Sequence, residues 1–272
     1  LEINSNYRTF TFNKIYVIES IPDDEMQTGV TLYEDLLKWS SHLSSDTCAE
    51  YWGVQNKKQF ELCLEALYID TVFGCDPLIH FEVHGSSNYD GLILKSKELV
   101  TWDELAQMTR KINQSVKNNL IVSFATCYSG YFIKAIDISK PAPFHGSIIT
   151  LELLSISEIE IRFHSFFSSL LLNPDFDLAI QNLNETNGFE WKLSFLTAED
   201  AFDILFKRVI NECILTNPKG KSWYEEVVTL YSNDKNELVD RVTSESEIRE
   251  AIFMAIAEEE RNLKNSFLLI EG

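Results

Sequence analysis

Short unbroken apolar runs alternate along this chain with stretches whose apolar positions recur every three or four residues. That alternation is the signature of strands interleaved with helices. Phe12 to Glu19 reads as a first strand, rich in β-branched residues, and the turn residues Ile21, Pro22, Asp23 and Asp24 end it. Thr31 and Glu34 have the spacing of a capping box, which predicts a helix through about Leu43. Apolar residues at Phe60, Cys63, Leu64 and Leu67 predict a second helix from Asn56 to Ile69. Two further runs, Pro77 to Val83 and Leu120 to Thr126, read as buried strands. Between them lie a hairpin (Leu92–Leu94 and Glu98–Val100) and a helix opened by the capping box Thr101 and Glu104 and running to about Val116. A strand, a connection containing a helix, and a second strand form the crossover unit of a parallel sheet.

Each of those two buried strands stops at a reactive side chain followed by small residues. The first ends on His84-Gly85-Ser86, the second on Cys127-Tyr128-Ser129-Gly130. Neighbouring parallel strands present both at one carboxyl edge. A free thiol titrates near 8.5, so it attacks well only when a neighbouring base takes its proton. An imidazole does this and later protonates the leaving amine. Gly85 lets backbone approach a substrate carbonyl, and its N–H with that of Cys127 forms a candidate oxyanion hole.

Beyond Cys127, Tyr131 to Ile136 predicts a short helix, Pro141 and Pro143 break it, and Gly146 to Leu153 reads as another strand. Ile159 to Leu172 is apolar almost all round, as for a helix buried on a sheet. From Leu196 the pattern is helical: Thr197 and Asp200 open a segment to about Leu215, followed by Trp223 to Tyr231 and Ser246 to Asn265. The expected division is a core of residues 1–195 and a helical C-terminal subdomain of residues 196–272.

The chain has 272 residues, of which 45% are hydrophobic, enough for one large core with an appended subdomain. Its formal net charge of −19 repels polyanions, so neither nucleic acid nor an anionic membrane surface is expected as a partner. The five cysteines form no CxxC pair, which points to a reducing, cytoplasmic setting. No apolar stretch is long enough to span a bilayer and the first residues lack a signal-peptide pattern. The sequence does not begin with methionine, so a piece of a longer protein is expected.

The histidine-then-cysteine order resembles the caspase-like cysteine peptidases, over about Lys14 to Leu172. His84 and Cys127 are 43 residues apart, close to the roughly 50 of caspases. The resemblance implies an α/β fold, a caspase-like three-layer sandwich with a mostly parallel sheet flanked by helices. It implies Cys127 as nucleophile, His84 as base, and Gly85 as an oxyanion donor beside Cys127. The Ser123-to-Gly130 wording and the helix around Phe163 to Leu170 are most similar to the bacterial CHAT-type peptidases. Those sit beside sensor partners and often serve antiphage defence, which implies a protein substrate, an activating protein partner and no cofactor. The family's arginine- and lysine-specific members carry Asp two residues before the cysteine, where this chain has Ala125. Glu19, Asp23 and Asp24 follow the first strand, where the fold lines its specificity pocket. An acidic pocket built from Glu19 and Asp23 with Ala125 would favour lysine or arginine before the scissile bond.

Three other readings use the same residues. His80, Glu82 and His84 share one strand face and with Cys127 suggest zinc, though no P-C-x-x-C follows as in the deaminases. Ala125 to Ser129 has the small flanks of a nucleophile elbow, for which His145 or His164 would be the base. A catalytically silent module that docks a basic partner needs neither reactive group.

Overall fold

The architecture is that of a computed structural model, which describes residues 2–3, 10–43, 47–173, 175–188, 190–210 and 245–270. In chain order the first elements are β1 (Glu2–Ile3), β2 (Phe10–Thr11), β3 (Lys14–Ser20), α1 (Thr28–Asp35), α2 (Ser40–Leu43), β4 (Cys48–Gly53), α3 (Lys57–Val72) and β5 (Pro77–Gly85). Then come β6 (Gly91–Ile93), β7 (Leu99–Thr101), α4 (Trp102–Ser115), β8 (Ile121–Phe124), a 3-10 stretch at Ser129–Ala135, and β9 (Gly146–Ile149). The last are α5 (Ile156–Leu172), α6 (Phe176–Glu185), β10 (Ser194–Thr197), α7 (Ala198–Ile210) and α8 (Glu245–Phe267).

The main sheet runs β10-β9-β8-β5-β3-β4, parallel throughout except for β10, which is antiparallel to β9. The crossover expected between the two reactive strands is present: β5 and β8 are adjacent and parallel, joined through the β6–β7 hairpin and α4. Because strand side chains alternate, one face of β3, β5 and β8 carries Ile15, Val17, Leu78, Ile121 and Ala125, and these join Phe163, Phe166 and Leu170 of α5 in one core cluster. The other face carries Phe81 and Phe124, whose rings stack with each other and contact Phe60 of α3 and Trp102 of α4. Helices therefore cover both faces, giving three layers.

Where local chemistry sets an element, the sequence reading holds. Asn56 caps α3 by accepting from the Gln59 N–H, and Thr101 and Glu104 form the expected capping box of α4. The helix predicted from Thr31 is corrected: α1 begins at Thr28, and Thr31 Oγ1 donates instead to the Gln27 carbonyl. The orphan N–H groups of Gly29 and Val30 at its start are taken by the Glu19 carboxylate, which does a cap's work from another element. Strands β4 and β10 and helix α6 were not foreseen. The strand expected to reach Leu153 stops at Ile149, while Thr197 closes β10 directly before α7 begins at Ala198. The helix expected from Trp223 to Tyr231 lies outside the described residues. Helix α5 has a wet side, with His164 and Leu172 exposed, while Arg162 is fully buried and donates to the carbonyls of Leu183, Asn184 and Glu190.

The start of α5 yields a pH prediction. Burial opposes charge on Glu158, but the Ser155 N–H and hydroxyl and the Lys192 ammonium outweigh it and bring its pKa from 4.5 down to about 2. A carboxyl depressed on folding stabilises the protein above its unfolded pKa and loses that contribution as pH falls through the folded one. Glu158→Gln is therefore expected to lower stability at pH 7 by on the order of 2 kcal/mol. The gap between wild type and variant in urea melts should close as pH falls from about 4.5 towards about 2.

The chain divides into two compact units, one of Leu1–Asp137 with Ala142–Ala198 and one of Ile138–Pro141 with Glu199–Gly272. Within the second, Lys264 of α8 pairs with Glu199 and Asp203 of α7, and Phe267 contacts Phe202. Among the described residues no helix is long and apolar enough to cross a membrane.

Candidate active site

Strand register brings the two reactive residues level. In the β5–β8 ladder Phe81 pairs with Phe124, an offset of 43 positions, which is also the offset between His84 and Cys127. The ladder ends there, with the Ala125 N–H donating to the Phe81 carbonyl at 2.9 Å, and the chain then turns through Cys127. Contact is close at that turn. A Cβ added to Gly85 would lie 1.9 Å from the Cys127 carbonyl oxygen, so only glycine lets the two backbones meet. His84 shares a strand face with His80 and Glu82, and Cys127 packs against the core cluster on that side.

The direction of the Gly85 N–H follows from parity. Because the Phe81 carbonyl accepts from β8, the backbone groups of Phe81, Val83 and Gly85 point to the β8 side. On the other side the Ser86 N–H donates to the Gly91 carbonyl at 2.9 Å, and Gly85 sits opposite Leu92 between bonded pairs of the β5–β6 ladder. The Gly85 amide is thus directed at the flank where Cys127 lies.

His84 is exposed, and its Nε2 lies 2.8 Å from Glu25 Oε2. Cys127 is half-buried: its sulfur accepts the Leu154 N–H at 3.3 Å, and its S–H donates to the Leu154 carbonyl at 3.8 Å. Residues Thr150 to Leu154 run along the cysteine loop, with the Gly130 N–H on the Thr150 carbonyl at 2.7 Å and the Tyr128 N–H on the Glu152 carbonyl at 3.2 Å. Tyr128 itself has a φ of 61°, left-handed backbone in a residue other than glycine.

The proposed pocket residues are dispersed. Glu19 is 2% exposed; its oxygens accept from Gly29, Val30 and the Tyr51 hydroxyl. Burial pushes its pKa up, partly offset by the Tyr51 bond. Ala125 is 3% exposed in the core cluster, whereas Asp23 is at the surface and pairs with Lys95. The two other histidine readings also acquire definite positions. His80 uses both ring nitrogens, on Ser123 Oγ at 3.0 Å and Glu82 Oε1 at 2.9 Å, and Thr28 donates to the other Glu82 oxygen. These bonds satisfy polar groups buried in a central strand. His145 is buried at the start of β9, where its N–H bonds Leu120, so it lies at the amino edge of the sheet, opposite to Cys127. His164 is on an exposed face of α5.

Sequence reasoning missed Glu25 and Leu154. The acidic run Asp23 to Glu25 was visible, but the bond from Glu25 spans 59 positions to His84.

No protein-family model matches the chain, and no curated protein matches it. Among solved structures, the Drosophila initiator caspase Dronc is similar, with a TM-score of 0.50 and 11% identity over 70% of this chain and 82% of that one. At that identity the likeness is one of fold: this chain has a caspase-like fold, a mostly parallel sheet between helical layers.

Proposed function

We propose that the chain is a cysteine endopeptidase working through a dyad of Cys127 and His84. The observation that carries this reading is the meeting of the Gly85 backbone with the Cys127 carbonyl, next to a His84–Cys127 offset equal to that of the β5–β8 ladder. In the proposed reaction His84 takes the thiol proton and the thiolate sulfur attacks the peptide carbonyl carbon. The N–H groups of Gly85 and Cys127 hold the oxyanion of the tetrahedral intermediate. The C–N bond then breaks, the amine leaves with the proton from the imidazolium, and a thioester remains on Cys127. Water, deprotonated by His84, hydrolyses that thioester and frees the carboxylic acid. No step uses a metal or organic cofactor.

The finer part of the proposal is a CHAT-type effector of bacterial defence, cytoplasmic and switched on by a protein partner. The wording from Ser123 to Gly130 supports it. The test of the activity is to incubate bacterial lysate with wild type and with Cys127→Ala and to sequence new N-termini. Termini made only by wild type support the reading. Identical sets from the two proteins, with the activator present, would overturn it.

Glu25 enters the proposal as a positioning residue for His84. Both side chains are about half exposed, and exposed ion pairs contribute about 0.2–1 kcal/mol. Glu25→Gln is expected to lower kcat only about threefold, with KM unchanged. A drop of more than about thirtyfold would mean that the carboxylate does more than orient the ring.

A further inference from the structure

Beside the candidate nucleophile lies a cluster of three tyrosines that the proposed chemistry does not use. Tyr128 follows Cys127 directly. Its ring meets that of Tyr89 edge-on at 4.7 Å, and Tyr89 stacks on Tyr131 at 4.5 Å with the planes 15° apart. Tyr89 comes from the loop after Gly85, so the cluster joins the loops of both reactive residues. That loop is firmly held: the Tyr89 N–H donates to the Ser86 carbonyl at 2.9 Å, and the indole of the buried Trp102 donates to the Tyr89 carbonyl at 3.0 Å. Tyr89 and Tyr128 both have a φ of 61°, and strained backbone persists where surrounding contacts fix it, commonly at ligand clamps. Even so, the Tyr89 side chain remains 40% exposed.

Against the same cysteine loop lie Leu151 and Leu153, 64% and 62% exposed. Leu151 sits over Gly130, where an added Cβ would be 2.7 Å from its Cδ2. The surroundings of Cys127 thus offer water a set of large apolar surfaces, and such a patch beside a reactive group marks a contact site. One ring face is already taken by a cation. Lys134 already stands 4.3 Å from the centroid of Tyr131, and the Glu19 carboxylate is turned inward onto α1.

Resting on the peptidase reading, we infer that Tyr89, Tyr128 and Tyr131 with Leu151 form a specificity rim. It selects peptides carrying large apolar side chains next to the scissile bond. The test uses the full chain and fluorescent decapeptides differing only in a central pair of Phe, Lys, Asp or Ala residues. Binding is read by anisotropy on Cys127→Ala, and cleavage of the same peptides is read on wild type. The Phe peptide is expected to bind about tenfold more tightly than the Ala peptide. Tyr89→Ala should bring that ratio close to unity, and Tyr89→Phe should retain it. Equal binding of all four, a preference for Lys or Asp, or a ratio unmoved by Tyr89→Ala would each overturn the rim. Selective binding by Cys127→Ala without cleavage by wild type, activator present, would uphold the rim while removing the peptidase reading.

Discussion

Cys127→Ala is expected to cut the peptidase rate by on the order of 10⁴-fold or more, and His84→Ala by a similar factor, with the double variant no worse than either single one. The non-additivity is the informative part. A nucleophile and its base act as one unit, so removing either leaves only the binding and oxyanion contributions. Two residues that mattered only for packing would combine additively. Stability should change little, because the lost contacts of Cys127 are two weak sulfur bonds to the Leu154 backbone and the packing of one half-buried sulfur against the core. Urea melts of the single variants within about 1 kcal/mol of wild type, beside a lost activity, would place the effect in the chemistry. Equal loss of activity and fold would sink the dyad.

Gly85→Ala is the second large effect. The new Cβ would stand 1.9 Å from the Cys127 carbonyl oxygen and 2.9 Å from its carbon, both backbone atoms. No side-chain rotation can relieve that overlap, so the cysteine loop must move. Forced overpacking costs about 1–3 kcal/mol. A shift of about 1 Å between reacting groups costs about 10²-fold in rate, and the amide proposed to hold the oxyanion would be displaced as well. The expected outcome is a folded protein, destabilised by about 2 kcal/mol, with kcat down at least about 100-fold. Gly53→Ala supplies the comparison: its Cβ would meet only the Tyr51 side chain, at 3.2 Å. Wild-type activity in Gly85→Ala would show that the close approach has no catalytic role.

The strands that carry the reactive pair were legible because central parallel strands are buried on both faces and therefore read as unbroken apolar runs. The edge strands were not. β4, Cys48–Gly53, is half-exposed along most of its length, and β10, Ser194–Thr197, is short and partly exposed. Propensity is a weak guide at sheet edges, where neighbours decide. The start of α1 was misplaced for a related reason. A local rule looks for a cap within a few residues, whereas Glu19 supplies it from a strand ten positions before Gly29. His84, Gly85 and Cys127 were proposed from chain order and small neighbours. Glu25 and the tyrosine cluster were not, since their contacts depend on how loops from distant segments lie against each other.

The crossover between β5 and β8 also bears on when the candidate site is assembled. His84 stands on β5 and Cys127 in the turn after β8, with a hairpin and α4 between them, so the proposed pair is brought level only once that long connection has closed and the Leu78–Ile121 to Phe81–Phe124 pairs have formed. Non-local parallel pairing is among the slower events in folding. On the peptidase reading, a nascent chain would carry an unactivated thiol, and hydrolytic competence would be one of the last properties to mature.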